Sequence, residues 1–212
     1  NVGRVVSPTL ALLVQREADI AAFKPEAFYT IELDFGSFTA ASEKFKNKAD
    51  ADKALRAATG TALVKNVGHK QKSEKAPALY DLNTLQRDAN RLLGYTAQQT
   101  LDYVQSLYEK KLCTYPRTDS RYLTDDMAGV RAAVICSAGI CGVDAPSAVH
   151  TQQVCNSKKV TDHHAIIPTV VSGETDMAAL PAGEREIIKL IALQVLRSVS
   201  EAHRFCETVA EI

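Results

Sequence analysis

The sequence lacks an excess of charge of either sign. Its 212 residues carry 25 Lys and Arg against 25 Asp and Glu, so composition alone announces no polyanionic partner, and any surface for one has to come from local clustering. It lacks paired cysteines as well. Cys113, Cys136, Cys141, Cys155 and Cys206 form an odd set with no C-x-x-C, which argues against a disulfide framework and against a zinc module, and points to a reducing, intracellular setting. No apolar stretch approaches the ~20 residues that span a bilayer, and Asn1-Val2-Gly3-Arg4 is not a charged head leading into an apolar signal core. No membrane association is expected. Internal repeats, low-complexity tracts and an H-E-x-x-H helix are all absent. The lack of an initiator methionine suggests an excised or processed chain. What is present is a 46% apolar composition, ordinary for a globular protein that buries a real core and sufficient for one or two domains.

The first third reads as a small α+β unit. Ser7-Pro8 has the form of a helix start, serine as cap and proline where a missing N–H costs nothing. Leu10, Leu13, Val14, Ala18 and Ala21 then recur at helical spacing, which predicts a helix over 8–22 with one buried face. Tyr29, Ile31, Leu33 and Phe35 alternate with polar residues up to Gly36-Ser37, the glycine-first form of a two-residue hairpin turn. Asp50 is placed to cap a short helix over 51–58, and Ala62-Leu63-Val64 with Val67 suggests a third strand. The basic run from Lys65 to Lys75 reads as a solvated linker before Pro77.

Helices dominate thereafter. Asn83 with Gln86 predicts a capped helix over 84–93, stopped by Gly94, and Thr96 with Gln99 forms a capping box for a helix over about 97–110. Two capped helices across a three-residue break read as helix-turn-helix. Leu112 to Tyr115 is a short strand candidate, Thr124 a cap for a helix bearing Met127, Val130, Val134 and Ile135, and 143–160 an irregular segment. The longest helical pattern runs from Glu184 to Arg204, with Ile187, Ile188, Ile191, Val195 and Val199 as an apolar stripe.

Two strings carry chemistry. In Thr114-Tyr115-Pro116-Arg117-Thr118-Asp119-Ser120, a phenol that titrates near ~10 becomes a useful nucleophile only if cations hold the phosphate it attacks. Arg117 is two residues away, and on an extended backbone i and i+2 share a face; its planar fork suits two phosphate oxygens, and Asp119 can orient it. Spacing alone equally allows a core tyrosine beside a surface ion pair. In Asp162-His163-His164-Ala165-Ile166-Ile167-Pro168-Thr169, adjacent histidines face opposite sides and so do not share a metal. One histidine suffices to donate to a phosphate oxygen or to handle the proton of a leaving hydroxyl, although a histidine packed beside Ala165–Ile167 is the plain structural alternative.

These strings, together with Gly3-Arg4-Val5-Val6-Ser7-Pro8-Thr9-Leu10 and Thr84-Leu85-Gln86, resemble the type IA DNA topoisomerase family in content and in order. The family pattern is a G-R-V-x-S/T-P-T-L segment, a T-L-Q helix, the Y-x-R-S/T-D strand and an H-x-A-I-x-P histidine segment; the Y-P-R and H-H-A-I-I-P-T wording resembles the topoisomerase III branch. The resemblance covers nearly the whole chain. It implies that Tyr115 attacks single-stranded DNA to give a 5′-phosphotyrosyl link, and that Arg117 and His163 contact the scissile phosphate. His163 is preferred to His164 because it stands two residues before the Ala-Ile pair. Arg4 is implied to lie beside the bound strand, and Asp119, Gln86 and Ser120 are further candidates for contacting it, although amides and hydroxyls on capped helices serve structure at least as often.

The same resemblance implies an α+β, mainly helical fold: 1–25 part of a cleft domain, 26–76 the outgoing part of a β-rich arch, 77–204 a winged-helix (CAP-like) domain carrying the tyrosine, and 205–212 the start of the returning arch segment. The family's N-terminal Toprim domain, whose acidic cluster holds Mg²⁺, has no counterpart here, so Mg²⁺ belongs to the intact enzyme and no metal is expected in this chain. Asp50-Ala51-Asp52 lacks the further carboxylates a Mg²⁺ site needs. The implied partners are single-stranded DNA and the Toprim lobe of the same protein, without which this chain is not competent; the implied place is the cytoplasm, at the nucleoid. A non-enzymatic winged-helix DNA-binding module is the alternative. A tyrosine recombinase is disfavoured because Tyr115 precedes its histidine.

Overall fold

The computed structural model describes residues 3–58, 60–125 and 127–212. The chain divides into two compact units, Asn1–His69 with Thr208–Ile212, and Lys70–Glu207.

In the first unit, α1 (Val6–Ala22) begins two residues before the predicted start. Val5 occupies the cap position with no side-chain bond, while Ser7 lies within the first turn, its Oγ accepting from the Gly3 N–H at 3.3 Å. Pro8 is still among the first four residues, whose N–H groups lack helical partners, so it does not disturb the helix. The expected burial of one face does not occur: no residue of α1 is buried, and Leu10, Leu12, Leu13 and Val14 are exposed. The hairpin is present. β1 (Glu32–Asp34) pairs antiparallel with β2 (Thr39–Ala41), Leu33 opposite Ala40. Gly36 has φ +82° and donates its N–H to Asp34 Oδ1 at 2.8 Å, so a residue free to take positive φ leads the turn as the pattern requires. Asn47 occupies the cap position of helix α2 (Lys48–Ala57) without a side-chain cap bond, and Asp50 sits inside the first turn rather than at the cap.

The largest departure from expectation is the basic run. Residues 62–64 form no strand, whereas Asn66–Glu74 form β3, paired with β4 (His203–Glu211) in a two-stranded ribbon. His69 Nδ1 meets Thr208 Oγ1 at 3.0 Å, and Lys72 pairs with Glu207. Lysines on an exposed two-stranded ribbon keep its open edges from pairing further. A polar sequence whose partner is more than a hundred residues away carries the local signature of a linker.

The second unit is built on helices. α3 (Leu82–Leu93) starts from a capping box of Asp81 and Thr84, so the cap is Asp81 rather than Asn83; it ends at Gly94, φ +75°. α4 (Ala97–Glu109) has the expected Thr96–Gln99 box. α5 spans Met127–Cys141; Thr124, read as its cap, lies three residues before it, and residue 126 is outside the described residues. α6 spans Ala182–Ser198, shorter than its pattern predicts because the chain becomes β4 at His203. Between α5 and α6 the chain is irregular, with 3-10 turns at Thr151–Gln153, Ser157–Lys159, Val170–Gly173 and Met177–Ala179.

Two apolar clusters hold this unit. Leu85, Ala89, Val104, Leu107, Ile187 and Ile191 join α3, α4 and α6, while Val130, Ala133 and Val134 of α5 pack with Val154, Val195 and Val199. The segment Ala165–Ile167 threads between them: Ile166 enters the first cluster, and Ala165 and Ile167 enter the second. Alternation on an extended backbone thus fills two cores from three consecutive residues. Gly183 at the start of α6 lies against the Tyr103 ring of α4, where an added Cβ would stand 2.5 Å from Cζ. The same helix end is fixed by the buried Glu184, which accepts from Ser106 Oγ at 2.9 Å and from Lys110 Nζ at 2.5 Å.

Candidate active site

The tyrosine string follows directly from the end of α4. Lys111 adopts φ +61°, its N–H donating to the Tyr108 carbonyl and that of Leu112 to the Leu107 carbonyl, each at 2.8 Å. This left-handed residue reverses the chain, so Leu112–Arg117 runs back beside the helix it has just left. The expected strand is reduced to an isolated bridge between Cys113 and Pro168. Cys113 is 2% exposed, and burial pushes its thiol up to about 12, which makes it an inert packing residue.

Two threonines stitch the tyrosine string to the histidine string. The Thr114 N–H donates to the Ile167 carbonyl at 2.9 Å, its Oγ1 donates to the Ala165 carbonyl at 3.1 Å and accepts from the Ile167 N–H at 3.0 Å, and Thr118 Oγ1 donates to the His163 carbonyl at 2.9 Å. The Ala165 N–H adds a bond to the Tyr122 carbonyl at 2.9 Å. Two segments some fifty residues apart in sequence therefore share one hydrogen-bonded frame, and the histidine side of it is anchored in both cores.

On that frame the Tyr115 and His163 rings lie 4.4 Å apart between centroids, tilted by 47°. Tyr115 is half-buried and His163 exposed. Arg117 is exposed and lines the same cleft as His163, a depression of about 400 Å³ that also presents Asn83, Asp119 and Asp162. Among the described residues no ion pair joins Arg117 to Asp119, so the guanidinium is not held by the carboxylate that the spacing suggested. An exposed guanidinium and an imidazole thus line one cleft, and the phenol ring packs against the imidazole. His164 points elsewhere: its Nδ1 lies 2.8 Å from the Ala165 carbonyl oxygen, and it lines a smaller depression with Leu123 and Val130.

Ser120 is 5% exposed, and its hydroxyl is occupied, donating to the Lys159 carbonyl of the Ser157–Lys159 turn at 3.0 Å and accepting from the Tyr122 N–H at 3.2 Å. Gln86 Nε2 donates to the Ala97 carbonyl at 2.9 Å, tying α3 to the start of α4. Arg4 is exposed and belongs to the other compact unit. Among the described residues no three His, Cys, Asp or Glu side chains gather as metal ligands; Asp50 instead accepts from Asn47 Nδ2 at 3.3 Å. Sequence reasoning missed Thr114 and Thr118 as the stitching residues. It also missed Tyr108 on α4, whose ring meets Tyr115 edge to face with centroids 5.3 Å apart. Nothing in Lys110-Lys111 signals the reversal that returns Tyr115 to it.

The DNA topoisomerase family pattern matches residues 1–212. The chain is 36% identical to DNA topoisomerase 3 of Bacillus cereus over 97% of its length, covering 30% of that relative. It is 37% identical to DNA topoisomerase 3 of Bacillus subtilis over 99% of its length, covering 31% of it. It therefore spans about a third of the length of these relatives. Among solved structures, full-length topoisomerase I from Thermotoga maritima matches with a TM-score of 0.74 at 28% identity, over 97% of this chain and 35% of that one. No helix among the described residues is long and apolar enough to cross a membrane.

Proposed function

Because the chain belongs to the type IA DNA topoisomerase family, on the topoisomerase III branch, we propose that it carries the strand-cleaving tyrosine of an enzyme that cuts single-stranded DNA, passes a strand and reseals the cut. The observation that supports this most is the Tyr115–His163 ring contact at 4.4 Å, with Arg117 lining the cleft that His163 lines. In this reading the Tyr115 oxygen loses its proton and forms a bond to phosphorus while the bond from phosphorus to O3′ breaks. The products are a 5′-phosphotyrosyl link and a 3′-oxygen that takes up a proton. Arg117 holds non-bridging oxygens and neutralises charge as it develops, and His163 donates to the same phosphate or serves the proton of the leaving hydroxyl. Resealing is the reverse, with the 3′-hydroxyl as nucleophile.

The remaining assignments follow the same reading. The α3–α4 pair belongs to a winged-helix type of domain over 77–204, flanked by arch segments 26–76 and 205–212 and by the cleft segment 1–25. Arg4, Asp119, Gln86 and Ser120 lie along the DNA path, Gln86 and Ser120 by shaping it. In the same reading Mg²⁺ is held by the Toprim lobe, a required partner in the cytoplasm, and among the described residues of this chain no three His, Cys, Asp or Glu side chains gather to hold it. The test is an adduct assay with the full-length protein and a single-stranded oligonucleotide labelled at its 3′ end. The label should become covalently attached to protein, and Tyr115→Phe should abolish transfer. DNA binding without transfer by the wild type would leave only a nucleic-acid-binding module.

A further inference from the structure

We propose that Tyr108 is a positioning residue for the nucleophile, forming with His163 an aromatic clamp that sets the direction of the Tyr115 phenol. This rests on the reading of Tyr115 as nucleophile. Among the described residues no side chain or backbone group is hydrogen-bonded to the Tyr115 hydroxyl. The backbone on either side is fixed, by the Thr114 bonds to Ala165 and Ile167 and by the buried Pro116. Two side-chain torsions remain, and only contacts on the ring can set them. Two rings supply those contacts, Tyr108 edge to face at 5.3 Å and 75°, and His163 tilted at 4.4 Å and 47°.

The two walls differ in kind. His163 is exposed and belongs to the proposed phosphate site, so its ring has another partner when DNA is bound. Tyr108 is 39% exposed and sits in the last turn of α4, a helix fastened to α6 through the Ser106 and Lys110 bonds to Glu184. It is the wall that stays put. A ring whose positive edge meets the π-face of its neighbour has a preferred geometry, and a nucleophile already held near its attack direction loses less freedom on reaching the transition state. The hydroxyl of Tyr108 is not needed for this, but its ring is.

The test is single-turnover cleavage of a single-stranded oligonucleotide by the full-length protein, with DNA affinity measured separately. Tyr108→Leu should slow cleavage roughly three- to tenfold, the range an aromatic pair contact supports, with Kd unchanged, while Tyr108→Phe should restore the wild-type rate. A Tyr108→Leu rate within twofold of wild type overturns the inference. So does a loss confined to Kd, which would make Tyr108 a DNA contact, and so does an equal loss in Tyr108→Phe, which would make its hydroxyl the active group. Failure of the underlying reading shows separately, as absence of any adduct with the wild type. The clamp is then decided in the chain itself by tetranitromethane nitration mapped to the Tyr115 peptide. Severalfold faster nitration in Tyr108→Leu than in Tyr108→Phe supports the clamp, and equal rates overturn it.

Discussion

Cys113 is a residue whose burial has a measurable pH consequence. Its thiol is pushed from the ordinary value of 9.0 to about 12 by burial, so above pH 9 the unfolded chain releases a proton that the folded chain keeps. The folded-state value is the higher one. The stabilisation is therefore complete below pH 9 and drains away as pH rises toward the folded value, by up to about 1.4 kcal/mol per pH unit. Tyr80, raised by burial and by its hydrogen bond to Asp88, acts in the same direction above pH 10. Urea midpoints at pH 8 and pH 10 should differ for the wild type, and Cys113→Ala should flatten the difference. An equally steep loss in that variant would refute the assignment. At this scale the sequence was informative about chemistry and silent about contacts. The residue types in Tyr115-Pro116-Arg117 and His163-His164 named the groups, but the bonds from Thr114 and Thr118 that bring them together join segments some fifty residues apart.

Elements were legible where their signals are local. The Thr96–Gln99 box, the Gly94 stop and the Gly36-Ser37 turn each depend on a few adjacent residues, and each is where the pattern placed it. The β3–β4 ribbon was not legible, because its stability comes from pairing across the length of the second unit. The end of α6 was misjudged for the same reason: helical spacing continues past Ser198, but pairing draws residues from His203 onward into a strand. The packing of α6 on α4 is testable at Gly183. A methyl there would meet the Tyr103 ring at 2.5–2.8 Å, and overpacking of this kind costs about 1–3 kcal/mol. Gly183→Ala should lower the urea midpoint accordingly, and much less so in a Tyr103→Leu background. Equal losses in the two backgrounds would show that the ring is not the obstacle.

Across the whole molecule, apolar burial is unevenly shared. Among the described residues, Ala51 is the one buried hydrophobic residue of the first unit, whereas the second holds both clusters. Hydrogen exchange should follow that division. Amides of Val104, Leu107 and Ile187–Ile191 should exchange only through global unfolding, while those of α1, including Leu13 and Val14, should exchange orders of magnitude faster in this chain by itself. Equal protection of the two sets would contradict the burial pattern. The threonine stitching also has a bearing on the return half of the proposed reaction. Because the backbone around the nucleophile and that of its histidine are one bonded piece, the proposed phosphotyrosyl end and the imidazole are held to one frame. In the proposed resealing, the incoming 3′-hydroxyl therefore meets a phosphodiester beside the imidazole that assisted its formation.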